Sequence, residues 1–160
     1  AADYKDVVLI EPRQEGGVFS LVMQLLAVAP DIFGFKVVDY DTRFGYDLLV
    51  TKDYALDLNR AALRFVEMKH ELRRDFSHSF RKLAAVICWD TQLSNEDKVT
   101  DLRGEERTVR ITSPKADNSL GYTKYMLVSD TSDHNVEVFV LKDFLREKLE
   151  LEFRPRGRED

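Results

Sequence analysis

Apolar side chains recur at helical spacing between Glu15 and Val28, and Pro30, which cannot continue a helix, follows the run. A carboxylate in the first turn, at Glu15, suits the positive end of the helix dipole. This pattern predicts a helix over Glu15–Val28 that packs its apolar side against the core.

The spacing then changes to that of strands. Runs rich in β-branched and aromatic residues predict two strands of a hairpin, joined by a glycine-containing loop at 42–45, and a third strand after a polar connection. The three runs are Phe35–Asp41, Tyr46–Thr51 and Leu63–Leu72.

The third predicted strand has two unlike faces. Side chains alternate along a strand, so Val66, Met68 and Leu72 share one face while Glu67 and Lys69 share the other. A charged face is unusual for a central strand, and it makes this strand the first place to look for chemistry.

The next segment predicts a second helix followed by a buried strand. Ser77 is suited to cap a helix whose apolar stripe contains Phe80, Leu83 and Ala84, and the apolar run Ala85–Trp89 predicts the strand. Beyond a polar loop at Thr91–Gly104, the remaining predicted elements are strands at Arg107–Thr112, Tyr122–Ser129 and Val136–Leu141 and a helix at Lys142–Leu149, before the polar tail Arg154–Asp160.

Together these elements predict a mixed α/β protein. Its central mixed sheet is flanked by helices in the order αβββαβ, with extra C-terminal strands and a helix. The 160 residues predict a single domain, with a core at about 11–90 and an extension at about 91–160.

Composition and charge narrow the function classes. The net charge of −5 argues against a generally basic nucleic-acid coat protein. No apolar run is long enough to span a bilayer, and the first residues lack the order of a secretory signal. The single cysteine, Cys88, lies in an apolar run and predicts a buried reduced thiol, so we expect a cytoplasmic protein.

The charged strand suggests a metal site. Glu67 and Lys69 are two residues apart and point the same way, and an antiparallel neighbour can bring Asp47 within reach of Glu67. Paired carboxylates suit Mg²⁺ or Mn²⁺. Glu15 can approach from the first helix. This set suits phosphodiester hydrolysis, in which Asp47 and Glu67 hold the cation and Lys69 helps position or activate the attacking water.

These residues resemble a known family. The helix with Glu15 precedes Gly45-Tyr46-Asp47, Val66-Glu67-Met68-Lys69, Ser77-His78-Ser79-Phe80 and a strand that ends in Cys88-Trp89, and over about 11–90 this order resembles the PD-(D/E)XK nuclease superfamily. The resemblance implies metal ligation by Asp47 and Glu67, catalytic assistance by Lys69 and a supporting acid at Glu15. The sequence departs from the motif of the superfamily because no proline directly precedes Asp47. Domains of this superfamily are often modules of larger polypeptides.

The local charge favours a phosphate-rich substrate. Residues 60–82 contain seven basic and three acidic side chains. We expect His78, Lys82, Arg73 and Arg74 to contact the substrate. Nucleic acid is the predicted partner, DNA in preference to RNA.

The sequence is compatible with three functions. The first is a metal-dependent DNA endonuclease domain, acting as a homodimer or with other domains of a larger polypeptide. The second is an inactive module of the same fold that binds nucleic acid or a protein partner. The third is a pure interaction domain with a solvated charged face, which predicts that Asp47 and Glu67 lie too far apart to share an ion.

Overall fold

The fold is described from a computed structural model, which covers residues 1–41, 47–52, 63–116 and 119–153, with the backbone alone at Asp41 and Asp47. This part of the chain contains the helices α1 (Glu15–Val28) and α2 (Leu141–Leu149) and one 3-10 turn (Phe80–Lys82). The strands are β1 (Ala2–Tyr4), β2 (Val7–Leu9), β3 (Lys36–Asp41), β4 (Asp47–Thr51), β5 (Leu63–Leu72), β6 (Leu83–Thr91), β7 (Lys98–Thr100), β8 (Glu106–Thr112), β9 (Lys124–Val128) and β10 (Val136–Val140).

Within the described residues, eight strands form one mixed sheet in the order β3-β4-β5-β6-β10-β9-β8-β7. The neighbours β5 and β6 are parallel, as are β6 and β10, whereas the other pairs are antiparallel. The short strands β1 and β2 form a separate hairpin. The predicted mixed α/β class is confirmed, with sheet predominating, and the C-terminal strands extend the same sheet.

Both helices cover one face of this sheet. Their apolar side chains pack against every second residue of the buried parts of β5 and β6, because alternate side chains of a strand point to the same face of the sheet. We call this the helix-side core; it contains Val18, Leu21, Val22 and Leu25 of α1, Leu141, Phe144 and Leu145 of α2, and Val66, Met68, Ala85 and Ile87 of the sheet.

The opposite face is covered without a helix. We call its apolar cluster the strand-side core; it contains Leu72, Phe76, Phe80, Leu83, Val86, Cys88, Val99, Val109, Leu127, Val136, Val138 and Val140. The sheet curls, because Thr100 of the edge strand β7 exchanges backbone hydrogen bonds with Arg74 and Phe76, which follow β5. The curled strands and residues 73–82 thereby take the place of a covering helix.

The helix predicted from Ser77 is therefore wrong. Residues 73–82, the crossover segment, join the parallel strands β5 and β6 and contain only the 3-10 turn, since Leu83 and Ala84 already belong to β6. Parallel neighbours are usually joined by longer connections that hold an α-helix. Here the backbone bonds to Thr100 and the burial of Phe76 and Phe80 stabilise a shorter path.

Of the other sequence predictions, some are confirmed and some are wrong. The bounds of α1 and β5 and the antiparallel pairing of β3 with β4 are confirmed. Leu72 is not on the helix side with Val66 and Met68, as strand alternation predicts, but packs in the strand-side core. The predicted loop Thr91–Gly104 contains β7, and β1 and β2 had no prediction. The loop at 42–45 and the tail Arg154–Asp160 lie outside the described residues.

Two further features bear on the function classes. The thiol of Cys88 is free and buried, as predicted. Neither helix in the described part of the chain combines the length and apolar character that crossing a bilayer requires.

Candidate functional site

The charged face of β5 meets the crossover segment at Lys69. The ammonium group of Lys69 donates a hydrogen bond of 2.8 Å to Ser77 Oγ and lies 3.7 Å from Glu15 Oε1. The ring centroid of Phe76 is 5.9 Å from the same nitrogen, a cation–π distance. The first turn of α1 and the crossover segment thus meet at this one side chain.

Glu67 lies two residues earlier on the same strand and is almost fully buried, with 6% of its side chain exposed. His78 Nε2 of the crossover segment lies 3.4 Å from Glu67 Oε2, and the imidazole is one-third exposed, at 33%. A buried carboxylate is costly unless it is paired or hydrogen-bonded, and the imidazole is a polar group close to it. The Glu67 cluster, as we call it, consists of Glu15, Glu67, Lys69, Ser77 and His78.

The backbone register of β4 and β5 ends one residue short of Asp47. The two strands are antiparallel, and the last pair toward Asp47 is Leu48 with Val66. If the same register continued by one residue, the Cα of Asp47 would lie beside that of Glu67, at the spacing of about 4.5–5.5 Å that directly opposed residues have. The position of the Asp47 carboxylate lies outside the described structure, so the predicted pairing of the two carboxylates stays a prediction.

Asp101 holds the crossover segment in position. Its carboxylate, buried in the turn between β7 and β8, accepts the backbone N–H of Phe80 at 3.0 Å and two N–H groups of its own turn at 2.9 Å. The N–H of Leu102 in the same turn donates to the carbonyl of His78. Phe76 and Phe80, whose rings stack with centroids 5.3 Å apart, bury the segment on the strand side. Ser77 and His78 therefore sit on a fixed backbone.

A third buried charge, and a positive one, lies behind the same segment. The guanidinium of Arg107 on β8 lies 5.4 Å from the ring centroid of Phe80 and 3.0 Å from Glu105, and it donates a hydrogen bond to the carbonyl of His134. Only 2% of the Arg107 side chain is exposed. Sequence analysis did not single out this arginine.

The arginines predicted to bind substrate are engaged with acids. Arg73 lies 3.3 Å from Glu71, and Arg74 lies 3.5 Å from Asp97. Both arginines line a cavity of about 480 Å³ at the ends of β5 and β6. They are exposed enough to exchange partners, but the ion pairs reduce the positive charge that this surface offers to a phosphate.

The other two predicted substrate contacts differ from each other. Lys82 ends the 3-10 turn, is exposed, and makes no hydrogen bond or ion pair with any residue that the structure describes. His78 instead contacts Glu67. It does not lie at the start of an α-helix, because the crossover segment contains only the 3-10 turn.

The donor chemistry of the site suits a divalent cation in part. Glu67 supplies carboxylate oxygens and His78 an imidazole nitrogen, which transition-metal ions accept together. Across residues 1–41, 47–52, 63–116 and 119–153, side chains of His, Cys, Asp and Glu form no group of three or more that could hold an ion. A cation here would therefore also need Asp47, whose carboxylate is not among the described side chains.

Cys88 takes no part in the site, although its Cα pairs with that of Lys69 on the neighbouring strand. Burial raises the pKa of the Cys88 thiol to about 12, which keeps it protonated at neutral pH. A protonated thiol is neither a good nucleophile nor a metal ligand.

Two features of the structure had no prediction from the sequence. Ser77, expected to be a helix cap, instead accepts a hydrogen bond from Lys69. The short separation of eight residues along the chain is the one sequence feature that could have suggested this contact. A cavity of about 310 Å³ lies at the other end of β4 and β5. Its lining contains two cationic side chains, Lys52 and Arg64, with Val50, Leu83, Ala84, His134 and Asn135.

Comparison of the chain with protein-family models, with curated proteins and with solved structures found no match.

Proposed function

We propose that the protein is a metal-dependent phosphodiester hydrolase acting on nucleic acid, most simply a DNA endonuclease domain. It would be a divergent member of the PD-(D/E)XK superfamily in which a 3-10 turn replaces the crossover helix. The observation that supports it most is that Lys69 contacts Glu15 and that Glu67 lies two residues earlier on the same strand, beside which β4 would bring Asp47 if its register with β5 continued by one residue.

Each residue of the site would have its own role in hydrolysis. Glu67 and Asp47 would hold Mg²⁺ or Mn²⁺, which polarises a phosphate and lowers the pKa of water. The ammonium of Lys69, which contacts Ser77 and Glu15, would orient the attacking water or stabilise charge on the phosphate. Because Ser77 and Glu15 fix it beforehand, little reorganisation is needed when the substrate binds.

The first test is cleavage of plasmid DNA and of RNA in the presence of Mn²⁺. We expect Lys69→Ala to lower the cleavage rate about a hundredfold or more, because it removes a fixed positive charge from the reacting phosphate. Lys98→Ala is the matched control, since Lys98 also donates to a hydroxyl, that of Thr108, but on the edge strand β7. Equal rates for the parent and Lys69→Ala, with both proteins folded, would refute the proposed role of Lys69.

A second test measures the cation without catalysis. A ligand present at about 100 times its Kd stabilises the folded state by about 2.7 kcal/mol, which raises the Tm of a domain of this size by several degrees. We expect Mn²⁺ to raise the Tm of the parent and not that of Asp47→Asn. The absence of any Mn²⁺ effect on the parent would contradict a metal-dependent function.

One observation favours a second candidate, an inactive module of the same fold that binds a partner. Arg73 and Arg74 are paired with acids, which suits a protein surface as well as it suits DNA. This candidate predicts tight binding to a partner that is indifferent to divalent cations, with no cleavage of DNA or RNA.

A further inference from the structure

The crossover segment presents an imidazole, rather than a second carboxylate, to the buried carboxylate of β5. His78 Nε2 and Glu67 Oε2 are 3.4 Å apart. Two donors that each lie about 2.1 Å from one octahedral ion are about 3 Å apart, so this separation is close to that of neighbouring ligands. A small adjustment of either side chain would let both contact one ion.

The backbone around His78 is fixed. Its carbonyl accepts the N–H of Leu102, and the neighbouring residues Phe76 and Phe80 are buried, with the N–H of Phe80 bonded to Asp101. The imidazole also lies edge-on to the Phe76 ring, with centroids 6.1 Å apart. A surface histidine that acted by its charge alone would not need such support, whereas a ligand benefits from a position fixed in advance.

Access and charge fit the same role. The imidazole is one-third exposed while the Glu67 carboxylate is almost fully buried, so His78 is the more solvent-accessible of the two groups. A ligand with access to solvent can meet an incoming ion.

We infer that His78 is a ligand of the same cation as Glu67 and that this mixed carboxylate–imidazole set makes the site prefer Mn²⁺ to Mg²⁺. The inference rests on the proposed function for the presence of the cation and adds a ligand and a selectivity to it. Mg²⁺ favours oxygen ligands throughout, whereas imidazole binds transition-metal ions readily. This assignment revises the sequence-based expectation that His78 contacts the substrate.

The decisive experiment is pulsed electron paramagnetic resonance of the full chain loaded with Mn²⁺. A directly bound imidazole gives a ¹⁴N modulation of the electron spin echo, which an ion pair or a distant histidine does not give. We expect this modulation in the parent and in His134→Gln, a control whose ring bonds a backbone carbonyl elsewhere, and its loss in His78→Gln.

Affinities measured by calorimetry extend the test. We expect His78→Gln to raise the Kd for Mn²⁺ about tenfold or more and to change the Kd for Mg²⁺ by less than about threefold. Bound Mn²⁺ without ¹⁴N modulation in the parent would overturn the inference and leave the proposed function standing. No Mn²⁺ binding by the parent would overturn both.

Discussion

The two faces of the sheet are stabilised in different ways. The helix-side core consists of apolar side chains from α1, α2 and the strands. Among the described residues the buried charged side chains are Glu67, Asp101 and Arg107, and each of them contacts the crossover segment on the strand side. The stability of the helix side depends on how well apolar side chains fill its volume. The stability of the strand side depends also on the partners of individual polar groups.

This difference explains where the candidate site lies. An apolar helix surface offers no means to hold a buried carboxylate, whereas the crossover segment brings hydroxyl, imidazole and backbone groups to β5. Burying polar groups is costly unless each has its partner, so the strand side has little tolerance for losing one.

Leu25 tests the helix side. It is fully buried in α1, and Leu25→Ala should lower the free energy of unfolding by about 3 kcal/mol, because it removes apolar contacts and leaves a cavity. Leu25→Met, which nearly conserves volume, should cost less than about 1.5 kcal/mol. Urea unfolding at neutral pH measures both. Similar losses for the two variants would show that this face does not respond to volume as we argue.

Arg107 tests the strand side with a substitution that also nearly conserves side-chain length. Arg107→Met removes the partner of Glu105 and leaves the carbonyl of His134 without its donor, so we expect a loss of about 2 kcal/mol in the same urea assay. Arg110→Met is the matched control on β8, because Arg110 forms an exposed ion pair with Glu96 and should cost less than about 1 kcal/mol. Equal costs for the two arginines would remove the contrast between the faces.

Asp101→Asn tests the turn that holds the crossover segment. The carboxylate accepts three backbone N–H groups, and an amide would turn its NH₂ toward at least one of them. We expect a loss of about 1 kcal/mol, together with faster amide hydrogen exchange at Phe80. Asp39→Asn is the control, because its exposed carboxylate, among the residues that the structure describes, accepts a hydrogen bond from the next residue in the chain alone. Unchanged exchange at Phe80 would show that Asp101 does not hold the segment.

The same contrast explains what could be predicted from the sequence. The bounds of α1 and β5 follow from local periodicity, and period two put Glu67 and Lys69 on one face. The spacing of Phe80 and Leu83 fits a helix locally, but the bonds that decide the path of the segment go to Thr100 and Asp101, far along the chain. Local pattern carries no information about such partners.

The candidate site follows the same rule. Glu15 was expected to approach the site from the first helix, but its contact with Lys69 had no prediction, and the contacts of Ser77 and His78 depend on the path of the crossover segment. The engagement of Arg74 with Asp97 likewise depends on how the loop before β7 packs. A count of basic residues along the chain could not reveal that pairing.

Cys88 gives the smallest and most local test. It is buried in the strand-side core, and burial raises the pKa of its thiol to about 12. The folded state therefore favours the protonated thiol. This contribution to stability is present below the pKa of the unfolded thiol and is lost as the pH rises through the folded value of about 12.

At pH 8 we expect Ellman's reagent to label Cys88 in the native parent only as fast as the core opens, and immediately after unfolding in urea. Phe76→Ala should raise the native labelling rate about tenfold, because Phe76 is part of the crossover segment that covers this core. Leu25→Met, on the helix side, should leave the rate close to that of the parent. If Phe76→Ala were labelled no faster than the parent, the crossover segment would not be what seals the strand side, and a fixed position for His78 beside Glu67 would lose its structural basis.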